Sequence, residues 1–240
     1  MKYVGSKARL SKDIAPIINK LISENNINTY IEPFVGGANL IQYIKCKNKI
    51  GSDINEYLIN MWQSLQNGWL PPNELSKEMY IDIKNNKEQY GKALVAIAGF
   101  CATYNAKWFG GYAGIVRTKI NTIRNYYNEA IRNIQKQILN LADVQFKYCK
   151  YSDYNLDIKN TLIYCDPPYQ GTTQYSYNKD FDYINFWAWV RRISKNNIVL
   201  ISEYNAPNDF KCIYEKTLTT TLDKGSRKKD TEKLFIYNKN

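Results

Sequence analysis

The sequence predicts an α/β fold, a Rossmann-like sheet interrupted by a mainly helical insertion. Three observations predict it. Residues 29–65 run strand, glycine turn, helix, strand, acid, helix, the order of the first half of a nucleotide-binding sheet. The stretch from about Gly68 to Ala142 breaks that rhythm. Alternation of strand and helix resumes at Val144, and one of the resumed strands ends in Asp166-Pro167-Pro168-Tyr169. The breaks divide the chain into a sheet domain made of 1–67 and 143–240 and an insertion at 68–142.

Residues 11–23 carry Ile14, Ile17, Ile18, Leu21 and Ile22 at helical spacing. Residues 29–34 read as a strand entering the turn Val35-Gly36-Gly37-Ala38, with a helix expected from about Asn39. Residues 49–53 form a second short strand ending in acid, and 55–65 return to a helical pattern. Inside the insertion, Pro71-Pro72 is a break and 100–114 is mixed. Ile123, Tyr127, Ile131, Ile134 and Ile138 mark the apolar face of a further helix. Beyond Val144, residues 162–165 are a strand, 186–193 a helix, 198–202 a strand and 233–237 the last strand. Residues 224–229, rich in Lys and Arg, read as a loop before it.

The run 161–165 is apolar and is ended by two prolines, as a buried strand would be. One carboxylate, a carbonyl whose setting proline restricts, and an aromatic face therefore meet at a strand end. That set suits a flat heterocycle bearing an exocyclic amine. The Asp166 carboxylate and the Asp166 or Pro167 carbonyl accept its two N–H bonds, while Tyr169 stacks on the ring. In isolation such a tetrapeptide is as easily a strand followed by a Pro-Pro turn. Its surroundings favour chemistry.

A chain of 240 residues buries a substantial core as one domain with an insertion. Its formal charge of +11, from 33 Lys and Arg against 22 Asp and Glu, favours a polyanionic partner, nucleic acid ahead of membrane. Histidine is absent, which excludes Ser-His-Asp and Cys-His catalysis and His-ligated zinc. Cys46, Cys101, Cys149, Cys165 and Cys212 are scattered without a CxxC pair, so we expect reduced thiols, no metal site and a cytoplasmic protein. Neither a bilayer-spanning segment nor a signal peptide is legible.

Glu32-Pro33-Phe34-Val35-Gly36-Gly37 lacks the full GxGxxG spacing, and no GxxxxGK[ST] loop occurs. The turn admits close approach to backbone without marking a pyrophosphate site. Asp53 lies about 20 residues beyond the strand end, where nucleotide-binding sheets place an acid on ribose hydroxyls. An Asp after a strand is also often a helix cap. Together the signals favour an adenosine ligand without a diphosphate, a description S-adenosylmethionine fits.

With these residues in place, the chain resembles the Dam-like DNA adenine-N6 methyltransferases of the D12 class. The motif order is cofactor turn, target-recognition insertion, then DPPY, and the resemblance covers nearly the whole chain. Lys2-Tyr3-Val4-Gly5-Ser6-Lys7 is similar to the family's N-terminal segment, residues 32–37 to its FxGxG motif, and 198–202 to the strand after the catalytic one. The resemblance implies a class I methyltransferase sheet, S-adenosylmethionine as cofactor, no metal, and double-stranded DNA as partner in a restriction-modification or phage setting. It implies that Tyr3, Lys7, Asp53 and Asp166 contact the cofactor, with Phe34 and Gly36 lining the same cleft. It also implies that Asp166, Pro167, Pro168 and Tyr169 act on an adenine flipped from the duplex. The chain departs from the pattern where Tyr3 replaces a frequent tryptophan and where Gly37-Ala38 changes the glycine spacing.

The insertion is expected to hold specificity. Tyr104, Asn105 and Lys107 lie in an aromatic, glycine-bearing loop, and Arg117, Lys119 and Arg124 follow at the expected start of a helix. Arginine and asparagine suit base edges, and lysine suits phosphate. Lys228 and Lys229 are expected as phosphate clamps from the later basic loop. Trp108 and Phe109 are as readily core anchors as contacts. The Arg-Tyr-Asn stretch often found in the family becomes Thr103-Tyr104-Asn105, so GATC specificity does not carry over. Two alternatives stand beside this reading: methylation of RNA adenine or a protein amide, and a DNA-binding regulator without catalysis. The intact DPPY argues against the regulator, and the basic balance and long insertion argue against a protein substrate.

Overall fold

The computed structural model describes residues 1–3, 5–117, 121–170, 181–220 and 228–238. Helix α1 (Ser11–Glu24) leads into β1 (Thr29–Glu32), β2 (Asn48–Asp53) and α2 (Glu56–Gln66). The next elements are α3 (Lys77–Asn85), α4 (Lys92–Ala96), a hairpin of β3 (Ile115–Arg117) and β4 (Ile123–Asn125), and α5 (Tyr126–Ile138). Then come β5 (Val144–Tyr148), β6 (Thr161–Cys165), α6 (Tyr183–Ile193), β7 (Ile198–Glu203), β8 (Phe210–Thr220) and β9 (Lys228–Tyr237).

Among the described residues, seven strands form one sheet in the order β5-β2-β1-β6-β7-β9-β8. The first five are parallel, and β9 runs antiparallel to both β7 and β8. Numbered within the sheet alone this is 3-2-1-4-5-7-6, the class I methyltransferase arrangement. Neighbouring residues of the central strands point to opposite faces. Tyr30, Leu162, Tyr164 and Leu200 enter a core with α1, α2 and α5, whereas Ile31, Ile163, Cys165 and Ile201 enter another with α6. This two-sided burial explains why β6 reads as an unbroken apolar run.

The strand order reverses between β1 and β6, where sheets of this kind bind ligands beyond their carboxyl ends. Ile31 pairs with Ile163, so the chain leaves β1 at Glu32 and β6 at Asp166 side by side. Topology alone thus unites the two motifs.

Four local expectations need correction. Only a single 3-10 turn, Ile41–Tyr43, stands where a helix from Asn39 was expected. Ala38 is left-handed (φ 52°), and residues 35–41 are buried without a break, a pattern no single helical face provides. Second, Ile123 belongs to β4 and is 69% exposed; α5 starts at Tyr126, capped by the Asn125 side chain, which accepts from Asn128 N. Arg117 and Arg124 therefore lie on the hairpin and not at a helix start. Third, β8 was unforeseen. Fourth, its pairing makes β9 begin at Lys228, so Lys228 and Lys229 are strand residues opposite Thr220 and Thr219 rather than loop residues. Lys119, Val4 and 224–227 lie outside the described residues.

Candidate active site

Asp166 leaves β6 with its carboxylate against Lys7, whose Nζ lies 2.9 Å from Oδ1. Lys7 is only 8% exposed and belongs to a 3-10 turn, Lys7–Arg9, capped by the Ser6 hydroxyl. A second carboxylate, Glu232 on β9, stands 3.6 Å from the same ammonium. Its Oε2 accepts from the Tyr169 hydroxyl at 2.7 Å. The Lys7 ammonium sits 4.4 Å from the Tyr169 ring centroid, and Tyr204 meets that ring edge-on at 4.7 Å. Tyr183, at the start of α6, donates to the Pro168 carbonyl at 2.9 Å. Glu203, ending β7, accepts from Gln170 N at 3.1 Å and Tyr204 N at 2.7 Å. Side chains from α6, β7 and β9 thus fix the loop of residues 166–170.

Burial pushes the Asp166 carboxyl up to about 6, although Lys7 pulls the other way. Burial likewise lifts Glu203 to about 7. Glu32, 4% exposed at the end of β1, accepts from the Tyr30 hydroxyl at 3.1 Å, and burial holds it well above the usual carboxylate range. Of Asp166, Glu203 and Glu32, Asp166 is the one whose carboxylate pairs with the Lys7 ammonium, which opposes the effect of burial.

The glycine turn packs against this cluster. Gly36 is left-handed (φ 46°), and a Cβ added there would lie 2.8 Å from Tyr3 Cε1, so the bare backbone is what lets Tyr3 lie on the turn. Asp53 Oδ2 accepts from Gly36 N at 3.1 Å and Oδ1 from Asn55 N at 2.9 Å. Asn55, not Asp53, caps α2, its side chain accepting from Leu58 N at 3.1 Å. Burial pushes Asp53 up to about 6. Trp62 Nε1 donates to Gly36 O at 3.1 Å, and Gln137 Nε2 of α5 donates to both Gly37 O and Ala38 O at 2.9 Å. Phe34 stacks on Tyr151 at 5.6 Å and meets Phe181 and Phe186 edge-on at 6.0 Å. Tyr3, Lys7, Phe34, Gly36, Asp53, Asp166 and Tyr169 thus share the carboxyl ends of the central strands.

The insertion residues divide differently. Phe109 is buried, and Trp108 packs 4.6 Å from Phe100 over Gly99, where a Cβ would lie 2.4 Å from the indole. These two aromatics are anchors. Thr103 Oγ1 donates to the Lys107 and Gly111 carbonyls at 3.1 and 2.9 Å, closing a loop on which Tyr104, Asn105 and Lys107 are exposed. Arg117 is exposed on β3. Arg124 is forked onto Glu129 at 2.9 and 2.5 Å and lies 4.7 Å from the Tyr126 ring, which in turn meets Tyr104 at 6.2 Å. Ile115 and Ile123, 70% and 69% exposed on the hairpin, complete the outward set. Glu232, Glu203, Tyr183 and Gln137 were not singled out from sequence, because each reaches the site only through tertiary pairing.

A family model described as D12 class N6 adenine-specific DNA methyltransferase matches residues 3–224. The type II methyltransferase M.MjaIII of Methanocaldococcus jannaschii is 25% identical, with 85% of this chain and 84% of its own length covered. The type II methyltransferase M.FokI of Planomicrobium okeanokoites is 24% identical and the modification methylase StsI of Streptococcus sanguinis 27%, each over 74% of this chain. The chain spans only 30% and 29% of those two longer proteins.

Proposed function

The chain belongs to the D12 class of N6 adenine-specific DNA methyltransferases, and on that premise we propose that it methylates N6 of an adenine flipped from duplex DNA, using S-adenosylmethionine. The observation that carries the proposal is the meeting of the Asp166 carboxylate, the Tyr169 ring and the glycine turn where the strand order reverses. A cleft with a bare-backbone turn, the Phe34 aromatic face and the Asp53 carboxylate fits an adenosine ligand. Tyr3, Lys7, Phe34, Gly36, Asp53 and Asp166 would hold it. S-adenosylmethionine supplies, when bound, an electrophilic methyl carbon on a sulfonium.

The residues then have defined work. The N6 lone pair of adenine is delocalised into its ring and is a poor nucleophile. Asp166 accepts a hydrogen bond from one N6–H and the Asp166 or Pro167 carbonyl accepts one from the other, favouring a pyramidal nitrogen with a localised lone pair. Tyr169 offers a ring face to the extruded base, since N6 cannot be reached inside the helix. Positioning and a fixed negative charge beside the developing positive charge supply the acceleration. Residues 68–142 carry sequence recognition in this reading, through Tyr104, Asn105 and Arg117. Arg124 is already committed to Glu129 and serves phosphate or structure. The relatives' names support a restriction-modification setting.

Incubating the protein with labelled cofactor and duplex DNA, RNA or protein, followed by nucleoside analysis, tests the proposal. N6-methyladenine confined to duplex DNA is expected; label in RNA, in protein or in cytosine overturns it.

Asp53→Ala removes an acceptor for ribose hydroxyls. Losing hydrogen bonds to a charged group costs about 1.5–3 kcal/mol, so cofactor affinity is expected to fall roughly ten- to a hundredfold. Calorimetry on the folded variant checks it. Unchanged affinity would reduce Asp53 to a brace for Gly36 and Asn55.

Activity and stability are expected to respond to pH with opposite signs. Asp166 must be ionised to accept from the amine, so kcat/KM falls as pH drops through about 6. Its native value lies above its unfolded value near 4, so the folded state binds more protons between the two, and stability falls as pH rises across that window. Melting curves from pH 4 to 8 should slope less for Asp166→Asn than for the parent, by on the order of 1–3 kcal/mol. Parallel slopes would contradict the assignment.

A further inference from the structure

We propose that Lys7 is an internal place-holder for the target base, and that Glu232 is the positioning residue that receives Lys7 when the base enters. The inference rests on the adenine reading above and deepens it.

Lys7 and an incoming adenine compete for the same atoms. The Lys7 ammonium donates to Asp166 at 2.9 Å and lies on the Tyr169 ring at 4.4 Å. Those are the two things an adenine needs there: an acceptor for its amine and a face for its ring. One cation therefore stands in for both recognition elements. A base cannot take them while Lys7 holds both.

Lys7 cannot simply be released. Its side chain is 8% exposed, and a buried ammonium without a partner is costly. Among the described residues, the carboxylates within 4 Å of its Nζ are Asp166 and Glu232. The Glu232 contact, at 3.6 Å, is an ion pair too long to be a good hydrogen bond. A shift of under about one ångström towards Glu232 would bring that contact to hydrogen-bond length, so Glu232 can take over as the ammonium's partner when the side chain swings off the Asp166 oxygen and the Tyr169 ring. The receiver is well fixed: Glu232 lies on β9 between two strands, opposite Lys216 of β8, with its neighbour Lys233 opposite Glu203 of β7. The same Oε2 accepts from the Tyr169 hydroxyl at 2.7 Å, so one carboxylate both aligns the stacking ring and stands ready for the displaced cation. Glu232 touches neither reacting atom in this scheme and acts through Lys7 and Tyr169.

The test uses a duplex carrying the site mapped for the parent enzyme, with 2-aminopurine at the target position as reporter of extrusion. Glu232→Gln keeps an acceptor for the Tyr169 hydroxyl but removes the charge that receives Lys7. It is expected to lower kcat at least tenfold and to shrink the 2-aminopurine fluorescence change, with cofactor affinity within about twofold of the parent. Glu232→Asp, which retains the charge, is expected to recover most of both. Lys7→Met removes the place-holder and also a cofactor contact, so it is assayed with the cofactor at a concentration that saturates the variant; its fluorescence change should then match or exceed that of the parent and should be insensitive to a second Glu232→Gln substitution. The inference is overturned if Glu232→Gln retains the parent's kcat and fluorescence change. It is equally overturned if Lys7→Met abolishes the change, or if Glu232→Gln shrinks it by the same factor with Lys or Met at position 7. A parent enzyme that makes no N6-methyladenine rejects the adenine reading instead, an outcome separate from all of these.

Discussion

Asp166→Asn is expected to fold, to bind duplex DNA and to transfer almost no methyl group. The substitution keeps the side chain's shape but replaces an anionic acceptor with an amide that presents a donor of its own. An amine proton then faces an N–H on one side, and the charge that stabilises developing positive charge on N6 is gone. Removing one preorganised group of this kind from a transition state costs roughly 10²–10³ in rate, or about 2.7–4 kcal/mol. Here the same residue both accepts the amine's hydrogen bond and supplies the charge, so the loss should reach at least the upper end. Stability points the other way. Burial already pushes the Asp166 carboxyl up to about 6 despite Lys7, so the folded state tolerates a neutral group there. A folded Asp166→Asn enzyme turning over near the parent rate would remove the basis for the mechanism.

Tyr169→Ala carries the second largest effect. Stacking of a base on an aromatic side chain is worth about 1–3 kcal/mol by alanine substitution. The ring also bears the Lys7 ammonium and, through its hydroxyl, the bond to Glu232. A fall in kcat/KM of roughly a hundredfold is expected, the upper part of the stacking range converted to a rate. Tyr169→Phe keeps the face and loses one hydrogen bond to a carboxylate, so a loss of about tenfold is expected. The Glu232 contact makes that change costlier than stacking alone would suggest. If Phe proved as damaging as Ala, the hydroxyl and not the ring would be the working part.

Much of the architecture was legible because its signals are local. The parallel strands β1, β2, β6 and β7 are short apolar or acid-terminated runs bounded by Gly, Pro and Asp, and α1, α2 and α6 show one apolar face each. What was missed depends on partners distant in sequence. β8 lies at the sheet edge, and its side chains at 211–217 are mostly exposed, so it has no apolar run to betray it. Ile123 falls one helical turn before Tyr127 and mimics a helical face, yet the chain there is a hairpin with the isoleucine in solvent. Arg124 looked free to read a base because nothing in its own segment announces the fork onto Glu129.

The candidate site divides in the same way. Asp166 and Tyr169 are readable as a motif, and Gly36 as a turn. Lys7 needed the family resemblance, since a lone lysine near a chain start carries no signal of its own. Glu232 sits among Asp230, Thr231 and Lys233 in a charged stretch with no motif around it. Only the pairing of β9 with β7 brings it to the end of β6. Gln137 likewise reads as the polar flank of α5 until its amide is seen holding the Gly37 and Ala38 carbonyls.

The central claim is that this chain methylates adenine N6 at a specific duplex site through Asp166. The most direct measurement expresses the parent and Asp166→Asn chains in cells lacking adenine methylation and maps modified bases across their DNA by long-read sequencing. We expect N6-methyladenine at one short recurring sequence with the parent and none with the variant. Unmodified DNA with a folded, expressed parent, modification of cytosine, or the same adenine pattern with Asp166→Asn would contradict the account.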